Sequence, residues 1–457
     1  MKEITFETAG NPFGLINLVN SLPNDHDHNI DSYKVVIPEG FLFDMIFPVI
    51  AAWSKRVPKE VQIKLDTTNC WESTERFINN IGLKDILEKD AETPLTFRSG
   101  SQHVPLQAIV PGQKTNDVLE RIYSMVDDFA PEYRDMSPFR TLLVEMSENI
   151  LAHSKTKSPG YVHAGIKQTR DGQTLCDITF ADSGIGIKES YLEGNNEAVI
   201  ERIKEGACPI DIATSGFNSS KPKSDSPSGK SYFGFGLYCV KRLIELNRGN
   251  AKMTVISGLD CVSINYQGQR TTPLNNSWPG TIVSLLIDLG NPLPLEDVYT
   301  AFNSAMAPIP SVTEDNTSSE KSTPTDHEPS TAEDTTEITT AEDTTIETSN
   351  KTSSAIETLK LTEFSTKLLS RDIGLEVRAE LATLLSSGAS VMVDLDDIED
   401  MTASVADEGF AKLAERLGEE KFRNKVSFIG GNQLLIRLIE FVLSARLGGK
   451  SELKEKA

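Results

Sequence analysis

The sequence predicts an α/β protein, α+β in its centre, built as a central sheet-and-helix unit between two smaller α/β units. Three observations predict it. Segments that alternate apolar and polar residues are interleaved with segments of helical spacing. A run rich in Ser, Thr, Glu and Asp and lacking aromatic residues, 311–357, separates residues 359–453 from what precedes them. A chain of 457 residues also exceeds one ordinary domain.

The first unit, 1–90, opens with a strand over Tyr33–Ile37 and an apolar helix through Met45 to Trp53. Val61–Leu65 alternates with period two, and a helix follows from Trp71 to Ile81. Residues 88–110 have little pattern and read as a connector.

The central unit, 110–290, begins with a helix at 115–129. A second helix runs from Phe139 to His153, with Ser137 as N-cap, Pro138 at the first helical position, and Phe139, Leu142, Leu143, Met146 and Ile150 as its buried stripe. Tyr161–Gln168 and Leu175–Phe180 form strands joined by a hairpin turn at Arg170–Gln173. An amphipathic helix carries Val240, Leu243, Ile244 and Leu246 and ends at Gly249. Ile256–Gly258, a strand near Val262, and Gly280–Ile287 complete the sheet.

The repeated hexamer Thr-Ala-Glu-Asp-Thr-Thr at 331–336 and 340–345 marks 311–357 as a linker that cannot bury enough apolar surface to offset its ordering entropy. Beyond it, helices at Ile373–Leu385, Ala406–Leu417 and Leu434–Leu447 alternate with strands at Val391–Leu395 and Val426–Ile429.

The net charge of −22 and pI near 4.8 disfavour nucleic acid and anionic lipid as partners. The most apolar stretch, Gly40–Trp53, is interrupted by Asp44 and Pro48 and is shorter than the about 20 residues a membrane span requires. The start has no signal-peptide pattern. The cysteines Cys70, Cys176, Cys208, Cys239 and Cys261 form no CxxC spacing, which points to buried thiols and a cytoplasmic protein.

Three short patterns carry chemistry. Glu145, Asn149 and His153 lie four apart and stack along one helix face, where a carboxylate and an amide could hold an attacking water and a Mg²⁺ ion. Asp182-Ser183-Gly184-Ile185-Gly186 ends a strand; the Asp can accept a hydrogen bond from an exocyclic amine such as adenine N6, and the glycines let backbone approach a ligand. Phe233-Gly234-Phe235-Gly236-Leu237 opens a helix and offers free N–H groups to phosphates. Each pattern alone matches many surface helices and turns; their order and spacing are the specific signal.

In that order the three resemble the N, G1 and G2 boxes of the gyrase, histidine kinase and MutL superfamily (GHKL, the Bergerat fold), and Gly280-Thr281 resembles its closing strand. The resemblance implies a two-layer sandwich of mixed sheet and helices that binds ATP and Mg²⁺. It assigns Mg²⁺ to Asn149, adenine to Asp182, the cleft to Gly184, Gly186, Gly234, Gly236 and Leu237, support of the adenine site to Thr281, and general-base chemistry to Glu145. Residues 187–232 would then be an ATP lid, with Lys221, Lys223 and Lys230 able to meet phosphates or simply solvated.

Val391–Ala406, VMVDLDDIEDMTASVA, looks like the strand, loop and helix start of STAS domains, the anti-sigma-factor antagonists. Ser404 stands where those carry a phosphorylatable serine; the position also suits a helix N-cap. The N-terminal unit is STAS-like in strand–helix order and lacks a serine at the matching loop. Anti-sigma serine kinases belong to the same ATPase superfamily. The resemblances together imply an ATP-binding regulator: a Ser/Thr kinase acting on a STAS domain of its own or of a protein partner, an ATPase switch that closes its lid and homodimerises, or a nucleotide-sensing scaffold. A sensor histidine kinase would need a phosphoacceptor histidine on the helix at 115–129, which has none.

Overall fold

The computed structural model describes residues 1–7, 12–24, 29–38, 44–89, 101–110, 116–131, 133, 136–153, 158–169, 171–194, 196–215, 236–247, 249, 251–291, 293 and 356–448, with backbone alone at 44, 89, 116, 137, 148 and 150–153. The expected linker, up to 355, lies outside them.

Three parallel strands, β1 (Lys2–Ile4), β2 (Ser32–Val36) and β3 (Gln62–Asp66), form the N-terminal sheet in that order. Around it lie α1 (Phe13–Ser21), α2 (Phe47–Ser54), α3 (Glu72–Asn80) and α4 (Leu83–Lys89). Helix α2 is buried along its whole length, which is why its sequence is apolar all round rather than striped.

The central sheet has five antiparallel strands in the order β4-β5-β6-β8-β7: β4 (His103–Ile109), β5 (Gly160–Gln168), β6 (Thr174–Ala181), β7 (Lys252–Asn265) and β8 (Gly268–Asp288). Two expectations are corrected here. The connector at 88–110 contains β4, an edge strand whose alternation is masked by Pro105 and by a register shift between Val104 and Gln107. The separate strands near 256 and 262 are one continuous β7 that forms a long hairpin with β8. Strand β8 likewise runs back from the expected Gly280–Ile287 to Gly268, through a polar part with Gln269, Arg270 and Thr271 in which burial does not alternate.

Helices α5 (Asn116–Phe129), α6 (Ser137–His153), α7 (Gly186–Leu192), α8 (Glu197–Lys204), α9 (Pro209–Ala213) and α10 (Gly236–Leu246) accompany this sheet. The alternation of side chains along each strand divides the core in two. Val104, Val162, Phe180, Val255 and Val283 pack with α5, α6 and α10. Their neighbours Leu106, Tyr161, Ala181, Ile256 and Ile282 pack with the N-terminal unit. The sheet is therefore covered on both faces, which makes three layers where two were expected. Asn20 at the end of α1 fastens the contact by accepting hydrogen bonds from the backbone of Asn275 (2.9 Å) and Asn276 (3.0 Å) on β8.

The C-terminal unit has a parallel sheet in the order β13-β11-β9, from β9 (Ile356–Lys360), β11 (Ser390–Asp394) and β13 (Val426–Ile429). Strand β9 starts inside the segment expected to be linker. A two-stranded pair joins β10 (Lys367–Leu368) to β12 (Asp400–Met401). The helices are α11 (Arg371–Ser386), α12 (Ala403–Ala406), α13 (Lys412–Leu417), α14 (Glu419–Lys425) and α15 (Gln433–Gly448); a π-helical turn, Asp407–Ala411, links α12 to α13. The apolar core of this unit is continuous with the helix-side core of the central sheet. It packs against the central unit.

Candidate functional site

Helix α6 places Glu145 and Asn149 one turn apart. Glu145 is 7% exposed, and its Oε2 occupies the space that a Cβ on Gly236 would need. A Cβ at the first residue of α10 would displace that carboxylate, so close approach rather than a φ angle favours glycine there. Asn149 is half-buried, and its buried Nδ2 has no hydrogen-bond partner among the described residues. An unpartnered buried amide end costs about 1–3 kcal/mol unless something satisfies it. The side chain of His153 lies outside the described residues.

Asp182 follows β6 and is 3% exposed. Its Oδ1 accepts from Gly184 N at 2.8 Å, and its own N–H donates to Thr281 O at 2.9 Å. Burial pushes the carboxyl up to about 7, against backbone hydrogen bonds from Gly184 and Thr281 that pull it down. Gly186 has φ +74°, and Pro279 O, Ser257 Oγ and Gly280 O crowd the place of its missing Cβ. Gly280 itself lies against the Asp182 backbone. Helix α6 packs on both α7 and α10, so Glu145, the glycine turn after Asp182 and the start of α10 belong to one neighbourhood.

Of the other expected site residues, Leu237 is half-buried against the helix-side core. Gly234 and the lysines at 221, 223 and 230 lie outside the described residues, as does the stretch 216–232 of the expected lid. The described part of that segment, 187–194 and 196–215, carries the short helices α7, α8 and α9. Val199, Ile203, Ile210 and Ile212 bury them in the helix-side core.

Two residues absent from the sequence reading hold the Asp182 turn. Ser257 Oγ accepts from Ile187 N (2.9 Å) and donates to Gly280 O (2.9 Å). Trp278 Nε1 donates to Asp182 O at 3.0 Å. Neither has a sequence signal, since both depend on β7 and β8 passing beside the turn.

The C-terminal unit reaches the same neighbourhood. Ser404 is 4% exposed, and its Oγ donates to Glu145 Oε1 at 3.0 Å while accepting from Arg371 Nη2 at 3.3 Å. It is not the helix cap: Thr402 is, its side chain accepting from Val405 N at 3.4 Å. A serine two residues inside the helix turns outward instead, toward α6.

Residues 374–434 match the family described as a STAS-like domain of unknown function (DUF4325). The STAS-like match takes in Ser404, α12 and the strands β11 and β13, and leaves the central and N-terminal units unmatched. No curated protein and no solved structure matches the chain. Among the described residues no helix is long and apolar enough to cross a membrane.

Proposed function

We propose that the chain is an ATP-dependent serine kinase that acts on its own STAS-like unit, with Ser404 as acceptor and Glu145 as general base. The hydrogen bond from Ser404 Oγ to Glu145 Oε1, 3.0 Å long, carries the reading, because a base must lie within about 2.6–3.2 Å of the proton donor it serves. In the transfer, Ser404 Oγ bonds to the γ-phosphorus and its proton passes to Glu145. The bond from that phosphorus to the β,γ-bridging oxygen breaks, and its electron pair leaves on ADP.

Nucleotide binding is supported by the GHKL-like patterns and by local chemistry. The buried carboxylate of Asp182 suits an adenine amine, and the glycines Gly184, Gly186, Gly234 and Gly236 suit close backbone approach. The unpartnered amide of Asn149 fits a ligand of Mg²⁺, since the O and N ends of an amide can exchange by a flip. When bound, Mg²⁺ would neutralise phosphate charge. The protein would act as a cytoplasmic regulator whose STAS-like unit also meets protein partners.

The test is incubation of the full chain with γ-labelled ATP and Mg²⁺. Label should appear on the wild type and vanish in Ser404→Ala and in Glu145→Gln, with Glu145→Gln still binding nucleotide. Label that persists in Ser404→Ala overturns the assignment of the acceptor. The same hydrogen bond favours a second reading, in which Ser404 blocks Glu145 and the chain is an ATPase switch that dimerises on closure. Free phosphate without protein label, released faster by Ser404→Ala, is the mark of that switch.

A further inference from the structure

Behind Ser404 lies a knot of buried charge. Glu408, in the π-helical turn, is 0% exposed. Three cations reach its carboxylate: Arg378 Nη1 at 2.6 Å, Lys412 Nζ from the next helical turn, and Arg371 Nη1 at 3.8 Å. Asp407 beside it is occupied by Arg446, through Nε (2.7 Å) and Nη2 (2.8 Å). Of the three cations around Glu408, Arg371 stands farthest from it and also donates to Ser404 Oγ at 3.3 Å. Lys412 is 4% exposed, and the side chain of Arg371 is 12% exposed, so neither charge is well screened by water.

Such a group is costly for a fold to keep unless its charges have a use, because burying ions costs several kcal/mol each after relaxation. Its position gives one. A phosphoryl group on Ser404 brings about −1.5 to −2 charges and three acceptor oxygens. On the other side of Ser404 stands the carboxylate of Glu145, which repels that charge. The guanidinium that already touches the hydroxyl can take two phosphate oxygens in a planar fork.

We propose that Arg371, backed by Arg378 and Lys412, forms an anion site that receives the phosphoryl group carried by Ser404. Arg371 thus positions the hydroxyl before transfer and holds the product after it, with Glu408 keeping the three cations in place beforehand. The proposal rests on Ser404 being the acceptor.

The experiment installs phosphoserine at 404 of the full chain by codon reassignment, which needs no kinase activity, and titrates it by ³¹P NMR. A free phosphoserine loses its second proton near pH 6. Replacing Arg371 by Ala should raise the midpoint by about one unit, the scale on which a neighbouring cation acts. Arg371→Lys, which keeps the charge and is the milder change for folding, should raise it by less. A midpoint unchanged in both variants overturns the site. A chain that transfers no label yet shows the shift would sink the kinase reading and leave the site standing. A chain that labels Ser404 without the shift would do the reverse.

Discussion

Arg140 on α6 and Asp400 on β12 face each other at 3.7 Å, beside the contact of Glu145 with Ser404. The Asp400 side chain is 1% exposed, and the Arg140 guanidinium also lies 5.2 Å from the centre of the Tyr123 ring. The docked position of the STAS-like unit thus has a charge contact, a hydroxyl contact and a shared apolar core. Arg140→Ala removes the cation from a buried carboxylate, which costs about 3 kcal/mol. Amide hydrogen exchange of β12 and α12 should then quicken; unchanged exchange would show that Arg140 is not a docking residue.

Nucleotide affinity should depend on pH through Asp182. Its folded value of about 7 lies above the ordinary 3.8, so the fold favours the protonated acid. The stability contributed this way is complete below about pH 4 and is lost as pH rises to about 7. An adenine amine donates to the ionised form. Adenosine, which carries no phosphate of its own to titrate, should therefore bind about tenfold tighter at pH 8 than at pH 6. Asp182→Asn should abolish the dependence and raise thermal stability above pH 7. A flat profile for the wild type would remove Asp182 from the adenine site.

The Asp182 turn has a second handle in Gly280. A methyl group there meets the Asp182 backbone, and overpacking of this kind costs about 1–3 kcal/mol. Gly280→Ala should lower the melting temperature and weaken nucleotide binding together. Trp278→Phe is the gentler probe: it keeps an aromatic ring, deletes the 3.0 Å hydrogen bond to Asp182 O and leaves a small cavity, together costing about 1–3 kcal/mol. A Trp278→Phe protein with wild-type affinity would show that the turn is held without that bond.

Glu408→Ala should be among the most damaging single changes in the STAS-like unit. It leaves Arg371, Arg378 and Lys412 facing one another without the carboxylate between them, at a cost of about 3–5 kcal/mol. Glu408→Gln, which retains the shape and one acceptor, should cost less. Denaturant titration followed at the α12 amides distinguishes the two.

Much of the secondary structure was written in local pattern. The stripe on α6, the hairpin of β5 and β6 around Gly172, and the strand–helix order of the C-terminal unit follow from side-chain period and turn residues. These act over a few neighbours. Strand β4 and the distal half of β8 escaped because a proline, a register shift and exposed polar residues erase the period-two signal. Their pairing partners, not their own residues, make them strands.

The sequence by itself determined which residues could do chemistry: a carboxylate and amide on one helix face, an aspartate before a glycine turn, a serine at the start of a helix. Spacing along one element fixes such sets. Tertiary structure alone decided what they meet. Burial of Asp182 beneath Trp278 and Gly280, the covering of the sheet on both faces, and above all the meeting of Ser404 with Glu145 across 259 positions of chain arise from packing one unit on another. No local preference encodes that meeting, because its energy lies in surfaces that form only once both units have folded.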